Sequence, residues 1–285
     1  MRKAKFLEVA LCLDIVNFDV LIGSPNKTMN TLIVTIFSLL LLSVSISSAQ
    51  DPLLVKRLKE IRNDFERLSI EKRTEYVMLK QKASDANKKK KYFTCMIAID
   101  DALNIFPDDM DLIWLRGICN AQIHDVDGAI DYYNKVIEIN SNHVPTLVNL
   151  VEINFFAGRY DDAVGYIKKM NALIEFGGGV SLPILDFKYL ISLVKLDEKN
   201  PGAYDDVIKN LYGLHGFMDD NPFYYYAKAL SEFKLGNKEA GLIWILKAYL
   251  IFKDPQKIEI WNKALVDSGF IGAHEIMFSN AKGAE

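Results

Sequence analysis

The sequence predicts an all-α chain built as a solenoid of antiparallel helix pairs. Three observations predict it. The chain resembles itself at a spacing of 34 residues. Within each copy, apolar residues recur at three- and four-residue steps, the period of a helix with one buried stripe. Only 16 glycines and 8 prolines occur in 285 residues, too few to punctuate a turn-rich β fold.

The period is clearest from Met110 to His143, with Gly117 and Ala129 as reference points and a break near His124-Asp125 that separates two amphipathic helices. A shift of 34 residues carries Ala129 to Ala163, Tyr133 to Ile167, Val136 to Met170 and Ile139 to Leu173. The reverse shift carries Gly117 to Ala83, Ala129 to Cys95, Val136 to Ala102 and Ser141 to Pro107. A fourth copy starts at Pro222, with Ala229, Gly236, Gly241 and Ala248 at the places of Gly117, Gly158, Ala129 and Val136. The repeats therefore run over 76–109, 110–143, 144–177 and 222–255. Between them, 178–221 reads as a degenerate helix pair, Pro183–Leu196 and Tyr204–Leu214. It carries an insertion at Gly177-Gly178-Gly179 or in the loop from Gly213 to Asp220.

One helix pair cannot bury its own apolar face, so neighbours must stack and the ends need caps. At the amino end (50–75), Asp51-Pro52 is suited to start a helix, with proline in its first turn. Leu54, Leu58, Ile61, Phe65 and Leu68 then form an apolar stripe. The stripe suits docking on the first repeat or, as a short coiled coil, pairing with another chain. At the carboxyl end (256–285), Ile258 to Val266 is expected to cap the last repeat ahead of a tail.

Close approach explains the small residues. Helices that cross at short distance tolerate nothing larger than a methyl or thiol group at the crossing, which is what Ala129, Ala163 and Cys95 supply. A small residue in the first helix, an alanine twelve further on and an aromatic four beyond it resemble the tetratricopeptide repeat family. Gly117, Ala129, Tyr133 and Ala163 match that pattern. Pro107 matches the family's closing proline, Ser141 and Glu175 depart from it, and the first-helix tryptophan is displaced by one residue to Trp114. The resemblance implies a right-handed superhelix whose concave surface is lined by first helices and holds a peptide or a partner's helix. Carried onto this chain, the groove residues are Trp114, Ile118, Gln122, Val148, Glu152, Phe155, Phe156, Tyr226, Leu230 and Phe233. Aromatic side chains on such a surface are good anchors. The lysine–asparagine clamp of some family members does not carry over, because Trp114 and Ile118 stand at the equivalent sites.

The amino terminus reads as an address label. Residues 1–28 are mixed and aperiodic, and Met29 opens a better-proportioned signal sequence (29–49), which suggests that 1–28 is a mis-called extension. Leu32 to Ile46 carries no charge, and Ser47 and Ala49 suit cleavage after Ala49. The run is about 15 residues, whereas a bilayer span takes roughly 20. A secreted or periplasmic product follows, touching the membrane only transiently. If the chain starts at Met1, Lys27 adds a positive charge and an uncleaved anchor gains weight.

Composition excludes more than it assigns. The net charge is −3, without the basic excess that drives non-specific nucleic-acid binding. Cys95 and Cys119, which lie beyond the cleavage site, form no CxxC pair, and either a disulfide or two buried thiols is open to them. His124, His143, His215 and His274 are scattered and read as solvated turn residues. His274-Glu275 begins like a zinc-protease helix but lacks the second histidine. The triple glycine lacks phosphate-loop spacing and reads as a linker. The acidic pairs at 100–101, 108–109, 161–162, 205–206 and 219–220 read as exposed acids near helix starts. Lys88 to Lys91 reads as a solvated turn, with contact to an anionic surface as the sharper alternative. No catalytic, metal or cofactor site is expected. The leading expectation is a non-catalytic protein-binding scaffold outside the cytoplasm. An accessory or inhibitory subunit of an enzyme complex stands second and an enzyme third.

Overall fold

The computed structural model describes residues 52–177, 182–197 and 199–275. The expected extension, signal peptide and most of the carboxyl tail lie outside them, as do Gly178 and Gly179. Among the described residues all regular structure is helical, and no helix is long and apolar enough to cross a membrane. The order is α1 (Pro52–Arg67), α2 (Ile70–Lys88), α3 (Tyr92–Ile105), α4 (Met110–Gln122), α5 (Val126–Ile139), α6 (Val144–Phe156), α7 (Tyr160–Gly177), α8 (Pro183–Lys195), α9 (Ala203–Leu214), α10 (Phe223–Lys234), α11 (Lys238–Ile251) and α12 (Pro255–Asp267). Short turns fold successive helices back as antiparallel pairs. The described residues divide into two compact units, one ending at Leu112 and one starting at Ile113.

In the first unit, α2 packs on α3. Their buried residues are mostly small: Ala83, Ala86, Cys95, Ala98 and Ala102, with Met96 and Ile99. Cys95 and, in the second unit, Cys119 are buried, and no disulfide joins them. Helix α2 starts at Ile70, six residues before the expected repeat boundary. Ser69 caps it there, its hydroxyl accepting the Lys72 N–H at 3.3 Å, which satisfies one of the donors a helix start leaves open. Of the α1 stripe only Phe65 is fully buried. Its ring lies edge-on to Tyr76 and Phe106, with centroids 5.3 and 5.2 Å away.

Asp109 is buried rather than exposed. It accepts hydrogen bonds from the Tyr76 hydroxyl, the Leu112 N–H at 2.9 Å and the Lys80 ammonium at 2.7 Å. Burial, with the neighbouring Asp111 carboxylate, pushes its pKa up to about 8, against the pull of the Leu112 and Asp111 backbone N–H groups. Lys80 remains partly exposed and is shared with Asp111, so its charge is screened and burial dominates.

The 34-residue period has a structural counterpart. Ala83, Gly117, Val151 and Ala229 hold the same place in four first helices, and Cys95, Ala129, Ala163 and Gly241 the same place in four second helices; all are buried. At Gly117 a Cβ would come within 2.5 Å of Tyr133 Cε1, so glycine is what lets the Tyr133 ring lie against α4. Gly241 receives the Phe233 ring in the same way. The turn between the helices repeats as well. Lys90, His124, Gly158 and Gly236 occupy one equivalent position, and all have positive φ, at 54°, 65°, 71° and 80°. Glycine adopts that conformation freely, whereas side-chain-bearing residues are strained in it.

The second unit departs from simple nearest-neighbour stacking. Helix α8, half of the expected degenerate pair, packs against α6, α7, α9, α10 and α12. Eight of its thirteen residues are buried, among them Asp186, Lys188 and Ser192. Helix α12, capped by Asp254 through the Gln256 N–H at 3.0 Å, returns onto α8. There Trp261 meets Phe187, Tyr226 and Phe223, with ring centroids 5.4, 5.6 and 6.4 Å away.

Two outcomes test this account. Lys90→Gly relieves about 1–2 kcal/mol of left-handed strain against roughly 0.5–1 kcal/mol of added unfolded-state entropy, so the urea midpoint should rise slightly. Asp109 keeps its proton in the folded chain at pH values where the unfolded chain has released it. Its contribution is therefore full below about pH 4 and lost as pH rises towards 8. Asp109→Asn should flatten this fall in stability between pH 5 and 8, read from urea midpoints at both pH values.

Candidate partner-binding face

The first-helix faces of α4 and α6 carry most of the expected groove residues. Trp114 is half-buried, its ring edge-on to His143 with centroids 6.3 Å apart. Its indole N–H is shielded from solvent and has no hydrogen-bond acceptor among the described residues. Ile118 is half-buried beside it, and both lie against the cluster of Ala129, Tyr133, Leu150 and Ile153. Gln122 is exposed at the end of α4, and Val148 is half-buried against Val151, Ile167, Met170 and Leu185.

Glu152 is committed to a partner within the chain. Its carboxylate accepts a hydrogen bond from the ammonium of Lys188 on α8. That ammonium also stands 5.4 Å from the centre of the Phe155 ring. The Lys188 side chain is 5% exposed and that of Glu152 43%. A buried ammonium needs a counter-charge, and Glu152 supplies it from the rim. Phe156 is 48% exposed; it stacks on His124 at 6.2 Å, with Lys263 of α12 5.3 Å from its ring centre.

Three expected groove residues present no surface. Phe155, Tyr226 and Leu230 are 2%, 0% and 0% exposed. The reason is the return of α12: Trp261 fills the space between the first helices α8 and α10, so the face on which Tyr226 and Leu230 lie becomes core. Phe155 is covered on the α8 side by Lys188. Phe233 is half-buried, packed on Gly241 and stacked on Phe270 at 6.1 Å. On α4 and α6 the expected residues that keep accessible surface are thus Trp114, Ile118, Gln122, Val148, the outer edge of Glu152, and Phe156.

His215 also departs from its expected place. It is buried, its Nε2 2.8 Å from Asp186 Oδ2 and its ring centre 4.5 Å from that of Phe223. It stitches the end of α9 to α8. His124 and His274 are exposed, and His143 contacts the Thr146 hydroxyl through Nδ1 at 2.7 Å. Among the described residues no group of three or more His, Cys, Asp or Glu is placed to hold a metal.

Sequence reasoning missed Lys188 and Trp261. Lys188 gave no signal, because its counter-charge lies 36 residues away. Trp261 did give one, since Ile258, Trp261 and Leu265 form an apolar stripe that read as a cap rather than as a plug.

No family model matches the chain, and no curated protein matches it either. Among solved structures the chain is similar to one titled "MamA MSR-1 C2", at 18% identity and a TM-score of 0.46, over 61% of this chain and 94% of that one. The class of the protein, an all-helical array of antiparallel helix pairs, is defined by its own packing.

The Glu152–Lys188 pair has a measurable consequence. Glu152→Ala leaves the Lys188 ammonium buried without a counter-charge. It should cost about 1–3 kcal/mol, the range for stranding one polar partner. Replacing both, as Glu152→Gln with Lys188→Met, should recover most of that loss in thermal melts.

Proposed function

We propose that this chain is a non-catalytic protein–protein interaction scaffold of the tetratricopeptide type, holding a partner peptide or helix against α4 and α6. The observation that carries the reading is the apolar strip of Trp114, Ile118 and Val148, half-buried on α4 and α6, with the exposed ring of Phe156 at its end. A peptide or helix laid across it would cover these side chains, with the aromatic rings as anchors. Gln122 and the rim carboxylate of Glu152 would then form the polar margin usual around such a contact. The apolar run 32–46 and the small residues Ser47 and Ala49 support export from the cytoplasm, which places the partner outside it. Neither metal nor cofactor is needed for this role.

The test compares partners recovered by the chain with those recovered by Trp114→Ala combined with Phe156→Ala. Phe156 is chosen over Phe155 because it is exposed and its loss leaves the core intact. Partners should be lost from the variant while helix content stays close to that of the parent. Identical partner sets from the two chains would sink the assignment of this face.

A further inference from the structure

A near-neutral total conceals a strong division of charge. Residues 52–91, covering α1, α2 and the turn after it, hold 13 Lys and Arg against 6 Asp and Glu, a net of +7. Residues 92–285 hold 17 against 27, a net of −10. Lys56, Arg57, Lys59, Arg67, Lys72, Lys82 and the run Lys88–Lys91 are all exposed.

Exposed apolar side chains sit with these charges at two places. The first two turns of α1 contain no acid and combine Lys56, Arg57 and Lys59 with Leu53 (72% exposed) and Val55. The Lys88–Lys91 turn leads directly into Phe93 and Ile97, which are exposed one helical turn apart on α3. Basic residues interleaved with exposed Leu, Val, Ile and Phe suit an interface where one side is anionic and the other apolar. The covalent neighbourhood points the same way. The uncharged run Leu32–Ile46 ends six residues before α1, a reach of about 20 Å for extended chain. Uncleaved, that run would hold α1 at a bilayer surface. Cleaved after Ala49, it would leave α1 as the leading segment of the chain.

We propose that the segment from α1 to the first two turns of α3 is a docking surface for an anionic phospholipid bilayer, Lys and Arg meeting headgroups while Leu53, Val55, Phe93 and Ile97 enter the interface. Membrane contact then outlasts the signal peptide. This holds whether or not the α4–α6 face binds a peptide.

The experiment is vesicle co-sedimentation of the chain from Gln50 onward, which contains every described helix and lacks the apolar run. Binding should be strong on vesicles containing phosphatidylglycerol, weak on phosphatidylcholine alone, and screened by salt. Each exposed lysine near the surface is worth about fivefold in affinity, so Lys88→Gln, Lys89→Gln and Lys91→Gln together should weaken binding on the order of a hundredfold. Circular dichroism should be unchanged. Arg57→Gln with Lys59→Gln should act in the same direction from the other spot. Equal binding to both vesicle types, undiminished binding by both variants, or no binding at all would overturn the proposal. Retention on heparin or duplex DNA without vesicle binding would reassign the segment to a soluble polyanion and overturn it as well.

Discussion

Close approach of paired helices is the constraint on which the structure depends. Two helices can cross with their backbones nearly touching only where one of them offers little or no side chain. Gly117 makes room for Tyr133 and Gly241 for Phe233, while Ala83, Cys95, Ala129, Ala163 and Ala229 hold corresponding buried places. Once these crossings are set, the tyrosines and branched residues one turn away have only one direction in which to pack. The turn that joins the helices must then enter the left-handed region. Gly158 and Gly236 do so at no steric cost, and Lys90 and His124 do so under strain.

The hairpins were legible in the sequence because their determinants are local. A small residue, another twelve positions on and a helical stripe lie within one repeat, and the helix limits of α4 to α7 follow from them. What was hidden depends on residues far apart. Helix α8 reads as half of a degenerate pair because its segment falls out of the 34-residue register, and Asp186, Lys188 and Ser192 interrupt its apolar pattern. Each is nonetheless buried and satisfied by His215, Glu152 or a backbone carbonyl. Polar residues break the periodicity that reports burial even when tertiary partners make their burial acceptable. Tyr226 and Leu230 were assigned to an open face for a related reason. Helical position fixes which way a side chain points, but whether water is there depends on α12, whose return no 34-residue register describes. Asp109 and His215 differ from expectation on the same ground.

The two units leave different surfaces uncovered. The second keeps an aromatic and aliphatic strip on α4 and α6, bordered by the Glu152–Lys188 pair and by Phe156 between His124 and Lys263. The first keeps lysines and arginines, with aliphatic and aromatic side chains among them. Overall charge hid this division, since a basic segment and an acidic remainder sum to almost nothing. Charge read segment by segment is the more informative quantity in such a chain.

The place of α8 bears on how many repeats this chain can have. In an open solenoid, modules touch only their neighbours, so copies can be gained or lost without disturbing the rest. Here α12 closes back on α8 past the intervening α10–α11 hairpin, with Trp261 wedged between the two sides. An added or deleted hairpin inside that span would carry the tryptophan away from its socket and open the core to water. The span from α8 to α12 is thus a fixed-length clasp, and evolutionary duplication, the usual route by which repeat arrays grow, is open to this chain only outside it.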